Sequence, residues 1–497
     1  MIPARPSRRG FLRLAAGGAL LAARWRAGLS RALAEPKAPA TRPNILILIA
    51  DDVTYSEIGC YGGRNVQTPR IDAFAKEGMR FRYAYLAMSM CCPCRHELYS
   101  GLYPMRNGAT WNHSRARPGT KSICHHLGRL GYRVGLTGKH HVGPRSSYPF
   151  VNVPGFERGC CSRTAKYDCK GIKQFMTADP DQPFCLAVGL VLAHSPWTVG
   201  DPGQFDAAKL QLPPTFADTP EIRRDYAMYL AEIAALDKQI GDILQALDET
   251  GRADKTLVLF TSEQGGQWPG AKWTNWEQGL HTAFMIRWPE HVAAGTETDA
   301  IVQYADVVPT LLAAAGEDPA GKDLDGTSFL DVLTGKKTDH RRYAYGMHNN
   351  VPEGPPYPIR TVRSKEFRYI RNLTPEAEYV EKHMEQPKRW GNYWESWKRA
   401  AQTDARAKRT FLRYRKRPAE ELYQSNKDIH EVHNLAEDPR YAPVKARLRA
   451  ELERWMKAQD DPGAALDTPE ALAANRKAAA DSEKKRTRRK KPAPTGR

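Results

Sequence analysis

No apolar run inside the chain is long enough to cross a membrane, so no internal segment reads as a membrane span. Internal repeats are absent, which argues against a solenoid or propeller, and low-complexity sequence is confined to the last residues. Acidic residues are missing from the first 34 positions, which hold seven arginines. A clean second C-x-x-C is missing too, although Cys91 and Cys94 form one. What remains is ordinary globular composition, 41% hydrophobic and 26% charged over 497 residues, enough for one large domain plus a smaller one.

The N-terminus, "SRRGFLRLAAGGALLAA" then "RALAEP", pairs Arg8 and Arg9 with a short apolar run and a small-residue site at Ala32-Leu33-Ala34. This is the pattern of a twin-arginine export signal over residues 1–34. It implies use of the twin-arginine (Tat) machinery and a periplasmic or secreted location. The formal net charge is +19, but the arginines of that segment and the basic stretch 481–497, with eight basic and two acidic residues, account for most of it. The segment 466–497 reads as a disordered basic tail, and an exported protein meets little nucleic acid, so no nucleic-acid partner is expected. Nine cysteines suit a disulfide framework. Export of an already folded chain argues instead for few bridges, none essential.

"NILILIADD" (44–52), "YRVGLTG" (132–138), "FCLAVGL" (184–190) and "TLVLFTSE" (256–263) are apolar runs leading into polar residues, with helical patterns such as 222–249 and 304–316 between them. Strands alternating with helices predict an α/β fold: a large, mostly parallel sheet sandwiched by helices. Ligands of such sheets bind beyond the carboxyl ends of the strands. After about residue 340 a hairpin pattern at 359–373 and an amphipathic helix at 442–461 predict a smaller C-terminal α+β domain. The expected division is 35–340 for the large domain and 341–465 for the small one.

Asp51 and Asp52 end the first of these strands. Adjacent carboxylates repel, and a hard divalent cation with oxygen ligands, usually Ca²⁺ outside the cytosol, would neutralise them. An exposed loop pair or a helix cap would produce the same dipeptide. Glu263 and Gln264 end another strand and would complete an oxygen-rich set. "GKHHVG" and "AHSPW" put Lys139, His141 and His194 after two further strands, residues suited to anion binding and proton transfer. Lys272 would add a second cation.

The stretch "CCPCRHELYSG" (91–101) admits a redox pair, half a zinc site or a modification motif. Its C-x-P-x-R spacing, Cys91-Pro93-Arg95, resembles the signature of the sulfatases, an alkaline-phosphatase-like family. "RPNILILIADD", "TPRIDAFAKEGMRF", "GKHHVG", "FTSEQG", "AFMIRWP" and "ELYQSNKDIHEVHNLAEDP" extend the likeness over nearly the whole chain after the signal. The resemblance implies that Cys91 is oxidised to Cα-formylglycine by a formylglycine-generating enzyme. It implies that Asp51, Asp52, Glu263, Gln264 and the modified Cys91 hold Ca²⁺, and that Arg95, Lys139, His141, His194 and Lys272 surround the sulfate. The second metal pair departs from the family's usual Asp followed by Asn or His. "GKHHVGPRSSYPF" and "YPIRTVRSKEFRYIRNL" are most similar to the heparan N-sulfatase subfamily. The implied activity is hydrolysis of sulfate or sulfamate groups on sulfated glycosaminoglycan saccharides, N-sulfoglucosamine first, through an aldehyde-hydrate nucleophile. His348 and Arg360 are expected to contact the substrate. Rival readings are an O-sulfatase on another sulfated glycan, a phosphodiesterase or phosphonate hydrolase of the same superfold, and a non-catalytic glycan binder.

Overall fold

In β1 (Asn44–Ala50) every residue is buried, and the alternate side chains divide between two cores. Leu46 and Leu48 join one apolar cluster, whereas Ile45, Ile47 and Ile49 join another. That alternation is the period-2 geometry of a strand covered on both faces. The computed structural model describes residues 42–161, 163–381, 384 and 393–477. The expected export signal and the basic stretch 481–497 lie outside the described residues.

The large sheet has eight strands: β1, β2 (Met79–Tyr85), β3 (Arg133–Gly138), β4 (Val151–Asn152), β5 (Phe184–Gly189), β6 (Thr256–Ser262), β7 (Phe284–Arg287) and β8 (Thr296–Gln303). Their spatial order is β4-β3-β5-β1-β6-β7-β2-β8, and only the pairings of β7 are antiparallel. One face packs against α2 (Pro220–Glu249), which follows α1 (Cys91–Ser100) along the chain. Tyr229, Ile233, Leu236 and Ile240 of α2 recur at helical spacing in that core. The other face carries Cys94 and Leu98 of α1 with Val308, Leu311 and Leu312 of α3 (Val307–Ala314). The sandwiched, mostly parallel sheet matches the α/β expectation.

A second sheet, β12-β11-β10-β9, is antiparallel and formed by β9 (Ala344–His348), β10 (Ile359–Arg363), β11 (Arg368–Asn372) and β12 (Glu420–Tyr423). Val362, Tyr369 and Leu422 pack under Leu448, Leu452 and Trp455 of α4 (Ala442–Ala458). Both sheets belong to one compact unit that runs from Pro43. The tail expectation is corrected in part, because residues 469–477 are helical. Thr468 caps that turn by accepting the Ala471 N–H at 3.2 Å, and an alanine-rich stretch follows it.

Candidate active site and metal centre

Four neighbouring parallel strands, β3-β5-β1-β6, deliver their carboxyl ends to one place. β1 runs into Asp51 and Asp52, β6 into Glu263 and Gln264, β3 into Lys139, and the loop after β5 supplies His194. The cluster is therefore assembled by sheet register rather than by sequence proximity. Cys91, at the N-terminus of α1, completes it. Asp51, Asp52, Cys91 and Glu263 offer ligand atoms all within 4.8 Å of one another.

Each carboxylate divides its two oxygens. One oxygen of Asp51 pairs with Lys139, one of Asp52 lies 2.6 Å from Lys272 Nζ, and one of Glu263 touches Arg95 Nε without hydrogen-bond alignment. The others turn inward: Asp51 Oδ1 is 3.5 Å from Cys91 Sγ, and Asp52 Oδ1 and Glu263 Oε2 lie 2.6 and 3.4 Å from the Gln264 amide nitrogen. The same nitrogen lies 3.1 Å from Cys91 Sγ. Its partial positive charge stands where these inward atoms converge, the position a cation would share. An amide turned over would present its oxygen there instead. Three carboxylates and an amide make a hard-oxygen donor set, so the residues fit a divalent cation of the Ca²⁺ type. The extra methylene of Glu263 and Gln264 does not keep either from the cluster.

Burial opposes charge on Asp51, but the Lys139 ammonium foremost overcomes it and holds the carboxyl well below its usual range. Glu263 moves the other way, to about 8, because burial and Asp51 outweigh Arg95. Burial and the nearby Asp51 push the Cys91 thiol well up, leaving it protonated and a poor nucleophile. Arg95 donates to the Lys139 carbonyl at 2.7 Å, packed so closely that a Cβ on Gly189 would come within 2.7 Å of its Nη1 and 2.3 Å of that carbonyl. Cys92 faces Ser114 O at 3.3 Å, while Cys94 faces Cys91 O at 3.2 Å and Gln264 Oε1 at 3.5 Å. The C-x-x-C is thus no redox pair: its first cysteine faces the carboxylates and its second supports Gln264.

His194 Nδ1 lies 2.6 Å from the Ser195 carbonyl and must donate to it, which leaves Nε2 to accept from Lys272 at 3.2 Å. Burial and then Lys272 lower its pKa to about 3, so the ring is neutral. His141 reaches His113 at 2.8 Å. Sequence reasoning missed His113, which lies 28 residues away in a loop with no spacing signal. It also missed Tyr229, whose hydroxyl donates to the Asp52 carbonyl at 3.2 Å and steadies a residue with φ of 52°. The expectation for Arg360 is corrected. Its guanidinium is wholly buried and committed to Asp461 and to His348 O at 3.1 Å, so it presents no surface to a substrate. His348 is buried beside Tyr379, ring centroids 5.9 Å apart, and burial and then Arg417 lower its pKa to about 3.

A family model described as Sulfatase matches residues 43–317, more than half of the chain. The chain belongs to the sulfatase family. It is a sulfuric ester hydrolase. A second model, described as the C-terminal part of N-sulphoglucosamine sulphohydrolase, matches residues 271–405 of this sulfatase. It is similar to an ulvan-active sulfatase of Formosa agariphila, 32% identical over 86% of this chain and 83% of that protein. It is also similar to the N-sulphoglucosamine sulphohydrolase of Homo sapiens, 27% identical over 84% of this chain and 91% of that one. A solved structure in complex with its substrate, D-glucosamine-2-N,6-O-disulfate, shares the fold with a TM-score of 0.67 and 21% identity, covering 85% and 99% of the two chains.

Proposed function

We propose that this sulfatase removes the sulfate of N-sulfated glucosamine from glycosaminoglycan saccharides of the heparan type, after conversion of Cys91 to formylglycine and with Ca²⁺ bound. The observation that carries the substrate class is the match of residues 271–405 to the C-terminal model of N-sulphoglucosamine sulphohydrolase. A second reading, O-sulfate removal from another sulfated glycan, is favoured by the 32% identity to an ulvan-active sulfatase. Sulfate release from a panel of N-sulfated, 6-O-sulfated and 2-O-sulfated saccharides and ulvan fragments separates them. Release from the N-sulfated members first is expected, and preference for ulvan fragments would overturn the heparan assignment.

Asp51, Asp52, Glu263, Gln264 and residue 91 would hold the cation, which supplies positive charge for the sulfate oxygens. The aldehyde hydrate supplies a hydroxyl nucleophile where the encoded thiol is protonated. Lys139 and Lys272, paired with Asp51 and Asp52, bring two buried ammonium groups against the sulfate anion. Arg95, fixed on Lys139 O and Glu263, orients residue 91. The departing nitrogen needs a proton, and Lys272, shared between Asp52 and His194 Nε2, is the donor in reach. His141 accepts the proton that must leave the nucleophilic side. Peptide mass spectrometry of active protein tests the modification: an aldehyde at position 91 is expected, and an intact thiol in active protein would sink the reading. The export signal, a modifying enzyme acting before export and a periplasmic or secreted location belong to the same proposal, tested by fractionating the producing cells.

A further inference from the structure

His141 and His113 meet edge to edge, Nε2 to Nδ1 at 2.8 Å, with ring centroids 4.6 Å apart. Both residues hold left-handed backbone conformations, φ 50° for His141 and 64° for His113. Such conformations cost about 1 kcal/mol or more each and persist where the surroundings demand them. The other ring nitrogen of His141, Nδ1, is buried and has no hydrogen-bond partner among the described residues. A single proton lies between the two rings, so two arrangements are possible. If His113 Nδ1 donates, His141 carries its proton on Nδ1, as a buried N–H with no acceptor. If His141 Nε2 donates, Nδ1 is a bare lone pair. Lys139, then His113 when it is charged, then Arg95 act on this ring as cations, with Asp51 opposing them; the two fixed cations, Lys139 and Arg95, favour a lone pair over an N–H. The same charges, after burial, keep the ring neutral.

We propose that His113 is a positioning residue that fixes the tautomer of His141, accepting its Nε2 proton so that buried Nδ1 stays free to receive one. This rests on His141 being the proton acceptor of the proposed reaction. The proton-transfer balance is simple: Nδ1 takes one proton from the reacting side, the ring becomes an imidazolium, and Nε2 keeps its bond to His113 until Nδ1 gives the proton up. An imidazole at position 113 that is itself protonated on Nδ1 would force the opposite tautomer and disable the base.

The test reads the tautomer directly, in protein produced without conversion of Cys91, by ¹H–¹⁵N correlation spectra of ¹⁵N-histidine-labelled chains at neutral pH. His141 is expected to carry its proton on Nε2 in the parent, to lose that preference in His113→Ala and to regain it in His113→Asn, whose amide oxygen can replace the acceptor. A parent His141 protonated on Nδ1, or a tautomer unmoved by His113→Ala, would overturn the proposal. With converted enzyme, His113→Ala should lower kcat about tenfold or more with KM little changed and move the acid limb of the pH profile, and His113→Asn should restore both. Should the tautomer move as expected while His141→Ala leaves kcat intact, the inference about His113 stands and the base assignment of His141 falls.

Discussion

Lys272 shows how much the site depends on single charges. Its ammonium is buried, 2.6 Å from Asp52 and 3.2 Å from His194. In Lys272→Met the Asp52 carboxylate keeps its burial and loses that partner, a loss that costs about 3–5 kcal/mol for a buried pair. Denaturant titration should show that destabilisation, together with a fall in activity of about a hundredfold or more. Lys272→Arg, which keeps the charge, should recover most of the stability. A stability loss below 1 kcal/mol in the methionine variant would mean the pair is solvated. Most of these residues were legible one at a time: Asp51-Asp52 and Glu263-Gln264 at strand ends, and Cys91, Pro93 and Arg95 by spacing. The division of each carboxylate between a cation and an inward oxygen was not, because the partners lie 88 and 220 residues apart.

Among the elements, β5 and α2 do the most to hold the site in register. β5 ends at Gly189, where a methyl group would collide with the Lys139 carbonyl and Arg95. Gly189→Ala should therefore cost about 1–3 kcal/mol of stability and displace Arg95, lowering kcat more than it raises KM. Steady-state kinetics beside thermal unfolding would show whether the two losses travel together. α2 docks through Glu232, whose Oε1 accepts the Thr198 and Val199 N–H groups at 2.7 and 3.0 Å. Burial outweighs those bonds and pushes its carboxyl to about 8, against 4.5 for the free group. Between these values the folded carboxyl keeps a proton that the unfolded chain has released. The unfolded state then binds fewer protons, so stability is greatest at the acid end and falls as pH rises toward 8, by up to about 1.4 kcal/mol per pH unit for one such group. Glu232→Gln keeps both backbone bonds and removes the titration, so its unfolding midpoint should fall less than the parent's between pH 5 and pH 8. Parallel slopes would show that Glu232 is already ionised in the fold. The strands and the long helix were readable from apolar runs and helical spacing. The helical residues 469–477 were not, because charge and composition there resemble a solvated tail.

At the scale of the whole molecule, a bound cation would link the strands to one another. Three acidic side chains from two strand ends share one small volume, so a bound cation would tie those ends together and its removal would loosen them. Exhaustive chelation should abolish sulfate release and lower Tm, and Ca²⁺ should restore both. An unchanged Tm with full activity would exclude the metal centre. The sequence by itself determined the alternation of strands and helices, the sulfatase signature around Cys91 and the identity of the charged residues at strand ends. Those are local properties, set by side-chain periodicity and by chemistry written within a few residues. Only the tertiary structure decided that β3, β5, β1 and β6 lie side by side. It alone decided that Arg360 is spent on Asp461 rather than on a substrate, and that His113 meets His141. Contacts of this kind depend on which loops the sheet order brings to the same edge, and burial then converts that adjacency into fixed charge and fixed protons.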